Sequence, residues 1–87
     1  MVTKPNATAI GWEDGVEQCR ENEQRKPLTD QQSRDSASDL INALGLDRAK
    51  RLLCGTTTPR DAEWAAACHE YNLGFAGGWD AQLAEGR

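Results

Sequence analysis

Between Thr58 and Glu85 the side chains of Trp64, Cys68, Tyr71, Phe75, Trp79 and Leu83 recur at three- and four-residue intervals. At about 100° per residue they fall within one arc of roughly 120°, with Glu63 and Glu70 outside it, so the stretch reads as the principal helix with a core-facing stripe. Everything upstream reads as packing for it. Its start is the clearest boundary in the chain: Thr56-Thr57-Thr58-Pro59 offers a threonine cap, proline at the first helical position, and Asp61 and Glu63 in the positive first turn. Gly74, Gly77 and Gly78 lie within it, and a continuous helix would carry a cost of about 1 kcal/mol for each relative to alanine. Either the helix breaks at Gly77-Gly78 or something packs closely there.

A chain of 87 residues is one domain, and at this size only about 60 to 65% of the unfolded surface can be buried. With 38% hydrophobic and 28% charged residues, it has the makeup of a soluble globular domain and is too apolar for full disorder. The net charge of −4 predicts weak repulsion from nucleic acid and membrane phosphates, so any polyanion contact must be local. Cys19, Cys54 and Cys68 are odd in number and widely spaced, and no charged-then-apolar leader follows Met1; the expectation is free thiols in a reducing cytoplasm. No run approaches the roughly 20 apolar residues of a membrane helix.

Residues 1–8 read as a flexible arm whose Asn6 or Thr8 caps the first helix. In that helix Ala9, Trp12, Val16 and Cys19 form an apolar face, and the segment stops before Pro27. Residues 27–36, nearly free of hydrophobic side chains, read as a linker. Ser36 or Ser38 then caps a short helix with Leu40, Ile41 and Leu44, which Gly45 terminates. Asp47 is the expected cap of a third helix, with Ala49, Leu52 and Leu53 inward, ended by Gly55. The expected fold is an all-α domain of four helices, the long C-terminal one packed on helix one and the two short middle helices bracing it.

Gly11-Trp12-Glu13-Asp14-Gly15 and Gly74-Phe75-Ala76-Gly77-Gly78-Trp79 share a glycine-aromatic-glycine pattern. Glycines four apart lie on one side of a helix and admit another backbone. Gly11, Gly15, Gly74 and Gly78 are therefore candidates for a close-packing seam, either between helices one and four or between two copies in a homodimer. Together with the closing Phe75-Ala76-Gly77-Gly78-Trp79-Asp80, the pattern resembles the ribosome modulation factor family, and the resemblance implies ribosome binding. That family is basic and shorter between the two elements, whereas this chain is acidic and carries additional middle helices.

No motif for catalysis, metal or nucleotide binding stands out. Cys68 and His69 are neighbours, but adjacent helical positions diverge by about 100° and cannot form a nucleophile–base pair. A zinc site would need Cys19, Cys54, Cys68 and His69 to converge without any Cys-x-x-Cys or His-x-x-x-His pair. No enzymatic activity and no cofactor are expected. Two charged surfaces remain. Arg48, Lys50, Arg51 and Arg60 make residues 46–68 resemble a helix-turn-helix, although the would-be reading helix opens with Asp61 and Glu63, which phosphates repel. On helix one, Glu13, Glu17 and Glu21 stack at i, i+4 and i+8 with Asp14 beside them, a ridge suited to a basic groove on a partner protein. The sequence thus points first to a small acidic, non-enzymatic protein-binding module, an inhibitor of host machinery of the sort that phages and mobile elements encode, anti-CRISPR proteins included. The helix-turn-helix DNA-binding regulator is the alternative, and the only reading that involves nucleic acid unless the ribosome is the partner.

Overall fold

The computed structural model describes residues 6–86 and contains four helices: α1 Ala7–Glu21, α2 Asp30–Leu44, α3 Leu46–Cys54 and α4 Asp61–Glu85. The long C-terminal helix packs extensively on helix one, as expected. At 1.5 Å per residue the 25 residues of α4 span about 37 Å, close to the 41 Å long dimension of the molecule. The helix runs unbroken through Gly77-Gly78 because α1 fills the space a side chain would have taken.

The two helices run parallel. A Cβ on Gly11 would meet the Tyr71 carbonyl, and one on Gly15, a turn later, would meet the Phe75 carbonyl, a turn later on α4. To join parallel helices the chain must travel back, and the middle segment does so along α4: the Lys26 carbonyl lies at Trp79, Ser36 and Ala37 at Asn72, and Leu53 in one cluster with Ala67 and Tyr71.

Asn6 caps α1, its Oδ1 accepting from the Ala9 N–H at 3.2 Å. Because α1 starts at Ala7, residues 7 and 8 are helical rather than part of an arm, and residues 1–5 lie outside the described residues. The expected linker over 27–36 is corrected too. Thr29 and Gln32 form a reciprocal capping box that starts α2 at Asp30. The hydrophobic pattern missed this turn because α2 buries only Ser36 and Ala37, residues too small to register as an apolar stripe.

Two further caps differ from expectation. Gly45, at φ +87°, ends α2 and is itself the N-cap of α3, so Asp47 sits in the first turn instead of capping it. Helix α4 starts at Asp61 with Arg60 as N-cap and no side-chain cap bond, leaving Thr58 and Pro59 in the preceding connection. Gly55 ends α3 as expected, and does so in the left-handed conformation at φ +76°.

The core is built largely from small side chains. Ala7, Ala37, Leu53, Ala67 and Tyr71 form its centre, with Ile10, Leu40, Trp64, Cys68 and Phe75 half-buried against it. On α1 the buried stripe is Ala7, Gly11, Gly15 and Cys19. The expected face of Ala9, Trp12, Val16 and Cys19 is therefore rotated: Ala9 and Trp12 are exposed and Val16 half-buried. Leu52 is likewise exposed, whereas Ala49 and Leu53 are buried as anticipated. On α4, Tyr71 and Trp79 are buried, and Phe75 lies between them, tilted against the Tyr71 ring at 6.1 Å and stacked on the Trp79 ring at 6.2 Å between centroids.

Candidate functional site

The parallel crossing determines which parts of α1 remain available. Its glycine stripe faces α4, so the acidic residues on the opposite side project outward. Glu13, Glu17 and Glu21 are all exposed. Trp12 sits at the edge of the crossing, its ring lying across Gly77, where a Cβ would come within 2.8 Å of the indole, yet 45% of the residue remains exposed. With Glu13, Val16, Glu17 and Arg20 it lines a shallow depression of about 540 Å³.

Asp14 does not belong with the ridge. It is half-buried, and Tyr71 donates its hydroxyl hydrogen to Asp14 Oδ2 at 2.7 Å. Burial, followed by the bond to Asp14 and the charges of Asp14 and Asp39, pushes the Tyr71 phenol well above its ordinary range. The bond gives the buried phenol a partner and removes Asp14 from the set of free acidic side chains. Sequence spacing alone placed Asp14 beside Glu13, but the packing of α4 decides its role.

A pH dependence follows. The folded-state pKa of Tyr71 is raised, so its contribution to stability is intact below the unfolded value of about 10 and declines above it, by up to about 1.4 kcal/mol per pH unit. Burial also raises the Cys54 and Cys68 thiols, with Glu63 adding to the shift at Cys54 and Cys54 to that at Cys68, so their contribution declines from a lower pH. Urea midpoints should therefore fall progressively between roughly pH 8.5 and 11. In Tyr71→Phe the steeper part above about pH 10 should disappear while the thiol-linked part remains. The same raised pKa values leave both thiols protonated, and hence weakly nucleophilic, near neutrality.

The basic residues divide between two places. Arg48 and Arg51 are exposed and, with Ile10, Leu44 and Leu52, line a groove of about 520 Å³ between the start of α1 and the α2–α3 corner. Lys50 is half-buried, and Arg60 lies at the N-cap of α4. Residues 55–60 separate α3 from α4, and the first turn of α4 presents Asp61 and Glu63. Leu52 and Ile10 gained no functional weight from the sequence, because only the meeting of α1 with α3 brings them beside the arginines.

Gly11, Gly15, Gly74 and Gly78 are all buried in the α1–α4 crossing. The element that carries the resemblance to ribosome modulation factors is thus, in this fold, a packing element, with Trp79 also buried and donating to the Lys26 carbonyl at 2.6 Å. The cysteines are free, and among the described residues no group of three or more histidine, cysteine, aspartate or glutamate side chains could hold a metal ion. No helix among them is long and apolar enough to cross a membrane. No protein-family model, curated protein or solved structure matches the chain.

Proposed function

We propose that this chain is a non-enzymatic protein-binding module that presents the outward face of α1 to a basic surface on another protein in a reducing compartment, acting as an inhibitor or adaptor. The observation that carries the reading is Trp12, a large aromatic side chain 45% exposed between Glu13 and Glu17 on a rigid helix. Tryptophan is among the residues most enriched at interface hot spots, and flanking carboxylates steer a basic partner onto it. The ridge also has an internal cost. Like charges at i, i+4 destabilise a helix by a few tenths of a kcal/mol per pair, and Glu13, Glu17 and Glu21 make two such pairs.

The test is capture of a partner by the immobilised chain. Glu13→Lys/Glu17→Lys/Glu21→Lys should abolish capture of a basic protein while changing stability by no more than about 0.5 kcal/mol, since three lysines repeat the spacing of three glutamates. Trp12→Ala should weaken the same complex by about 2 kcal/mol, some thirtyfold. Capture that survives the triple reversal would leave the ridge a solvated face. A mobility shift on duplex DNA that is lost in Arg48→Glu/Arg51→Glu would replace the proposal with the helix-turn-helix reading.

A further inference from the structure

The groove between α1 and α3 has a character opposite to that of the ridge. Its lining, Ile10, Leu44, Arg48, Arg51 and Leu52, combines three aliphatic side chains with two guanidinium groups and, among the described residues, includes no carboxylate, in a chain whose net charge is −4. Leu52 is 40% exposed and Leu46, at the start of α3, 46% exposed. Leu46 lies about 120° around α3 from Leu52 and outside the groove, so Leu52 is the exposed leucine that α3 contributes to this surface, beside Arg48. Arg51, in the last turn, complements the carbonyl end of α3. Arg48, near the opposite end of α3, has no such role.

From this we infer that the α1–α3 groove is a second docking surface, and that its occupant is an acidic amphipathic helical segment of a partner protein. The apolar side chains of such a helix seat against Ile10, Leu44 and Leu52, and its flanking carboxylates meet Arg48 and Arg51, the guanidinium being suited to bidentate carboxylate pairing. A nucleic-acid backbone would satisfy the arginines but leave the aliphatic wall against water, and the chain's overall charge opposes it. A basic helix would bring like charge to both arginines. Helix α3 is about 13 Å long, so it can align with about two turns of an apposed helix, which offer two or three anchors. Binding is accordingly weak and salt-sensitive, with Kd on the order of 100 µM. This surface shares no residue with the ridge. The two together would let one small domain bridge a basic and an acidic partner.

The test uses the full chain and a fluorescein-labelled amphipathic helix of leucine and glutamate, followed by anisotropy. Binding should weaken at least tenfold in Arg48→Glu/Arg51→Glu and in the milder Arg48→Ala/Arg51→Ala, and should be unchanged in Glu13→Lys/Glu17→Lys/Glu21→Lys. A matched leucine–lysine helix should not compete. Circular dichroism on each variant separates loss of the groove from loss of the fold. The inference is overturned if the probe fails to bind the wild-type chain at up to roughly 1 mM, if the alanine and glutamate variants bind it as well as wild type does, or if the lysine helix competes. It is also overturned if duplex DNA or RNA binds through Arg48 and Arg51, or if light scattering shows a homodimer that these substitutions dissolve, which would assign the groove to a second copy.

Discussion

Replacing Gly15 with alanine should destabilise the domain by about 3 kcal/mol or more, with Gly11→Ala, Gly74→Ala and Gly78→Ala behaving alike. At an open helical site the same change stabilises by about 1 kcal/mol, because alanine is the better helix former, so the sign of the effect is the diagnostic. The reason lies in what the new methyl group meets. A Cβ would stand 2.1 Å from the Tyr71 carbonyl oxygen at Gly11, 2.1 Å from that of Phe75 at Gly15, 2.0 Å from that of Thr8 at Gly74 and 2.1 Å from that of Trp12 at Gly78. These are backbone atoms inside regular helix and cannot rotate away. Ordinary contact begins near 3.4 Å, so α1 and α4 would have to part by more than 1 Å along their shared length. Such separation forfeits dispersion contacts along the crossing and the close approach in which Cα–H groups meet facing carbonyls.

Gly77 supplies the internal control. Its Cβ would meet only the ring of Trp12, which is at the surface and free to swing outward, so Gly77→Ala should fall within about 1 kcal/mol of wild type once helix propensity is set against the displaced contact. A domain of this size is stable by roughly 4 to 13 kcal/mol, so Gly11→Ala/Gly15→Ala should remove most or all of the cooperative unfolding transition. Urea unfolding of the five single variants provides the comparison. Equal responses at Gly77 and Gly78 would contradict the crossing as described.

How far this architecture could be read beforehand depended on residue size. Large side chains at helical spacing disclosed α4, and Gly45 and Gly55 disclosed the C-terminal ends of α2 and α3. The α1–α4 association was legible through the glycine pattern. The face of α1 was not, because hydrophobic periodicity weights Trp12 and Val16 and gives nothing to Gly11 and Gly15, although the glycines make the closest approach. The first turn of α2 was missed for a related reason: it rests on a polar capping box and on Ser36 and Ala37, none of which stands out as apolar. At the surface, the exposure of Glu13, Glu17 and Glu21 could be anticipated from one helix alone. The withdrawal of Asp14 to Tyr71 and the assembly of the α1–α3 groove required contacts between elements distant in sequence, which one helix pattern cannot supply.

The same consideration singles out Asn72, which no pattern marked. From α4 its Oδ1 accepts from the Ala37 N–H at 2.9 Å and from the Ser36 hydroxyl, while Nδ2 donates to the Arg34 carbonyl at 3.1 Å. One amide thus engages three groups of one turn of α2, two of them at Ser36 and Ala37, which that helix buries, and the third at the Arg34 carbonyl. Asn72→Ala should cost about 2 kcal/mol, because it removes these bonds and leaves the buried Ser36 without its partner from α4. Asn72→Leu, which restores volume without polar atoms, should recover little of that loss. Asn72→Asp separates the donor from the acceptor. It keeps the acceptor toward Ala37 but sets a carboxylate oxygen against the Arg34 carbonyl, so its folded-state pKa should lie above the unfolded value of about 4. The carboxyl's protonated form restores a donor. Relative to wild type, Asn72→Asp should therefore be most impaired near pH 7 and regain stability as the pH is lowered toward 4. A loss in Asn72→Asp that does not change with pH would show that the amide fills space between α2 and α4 without registering them.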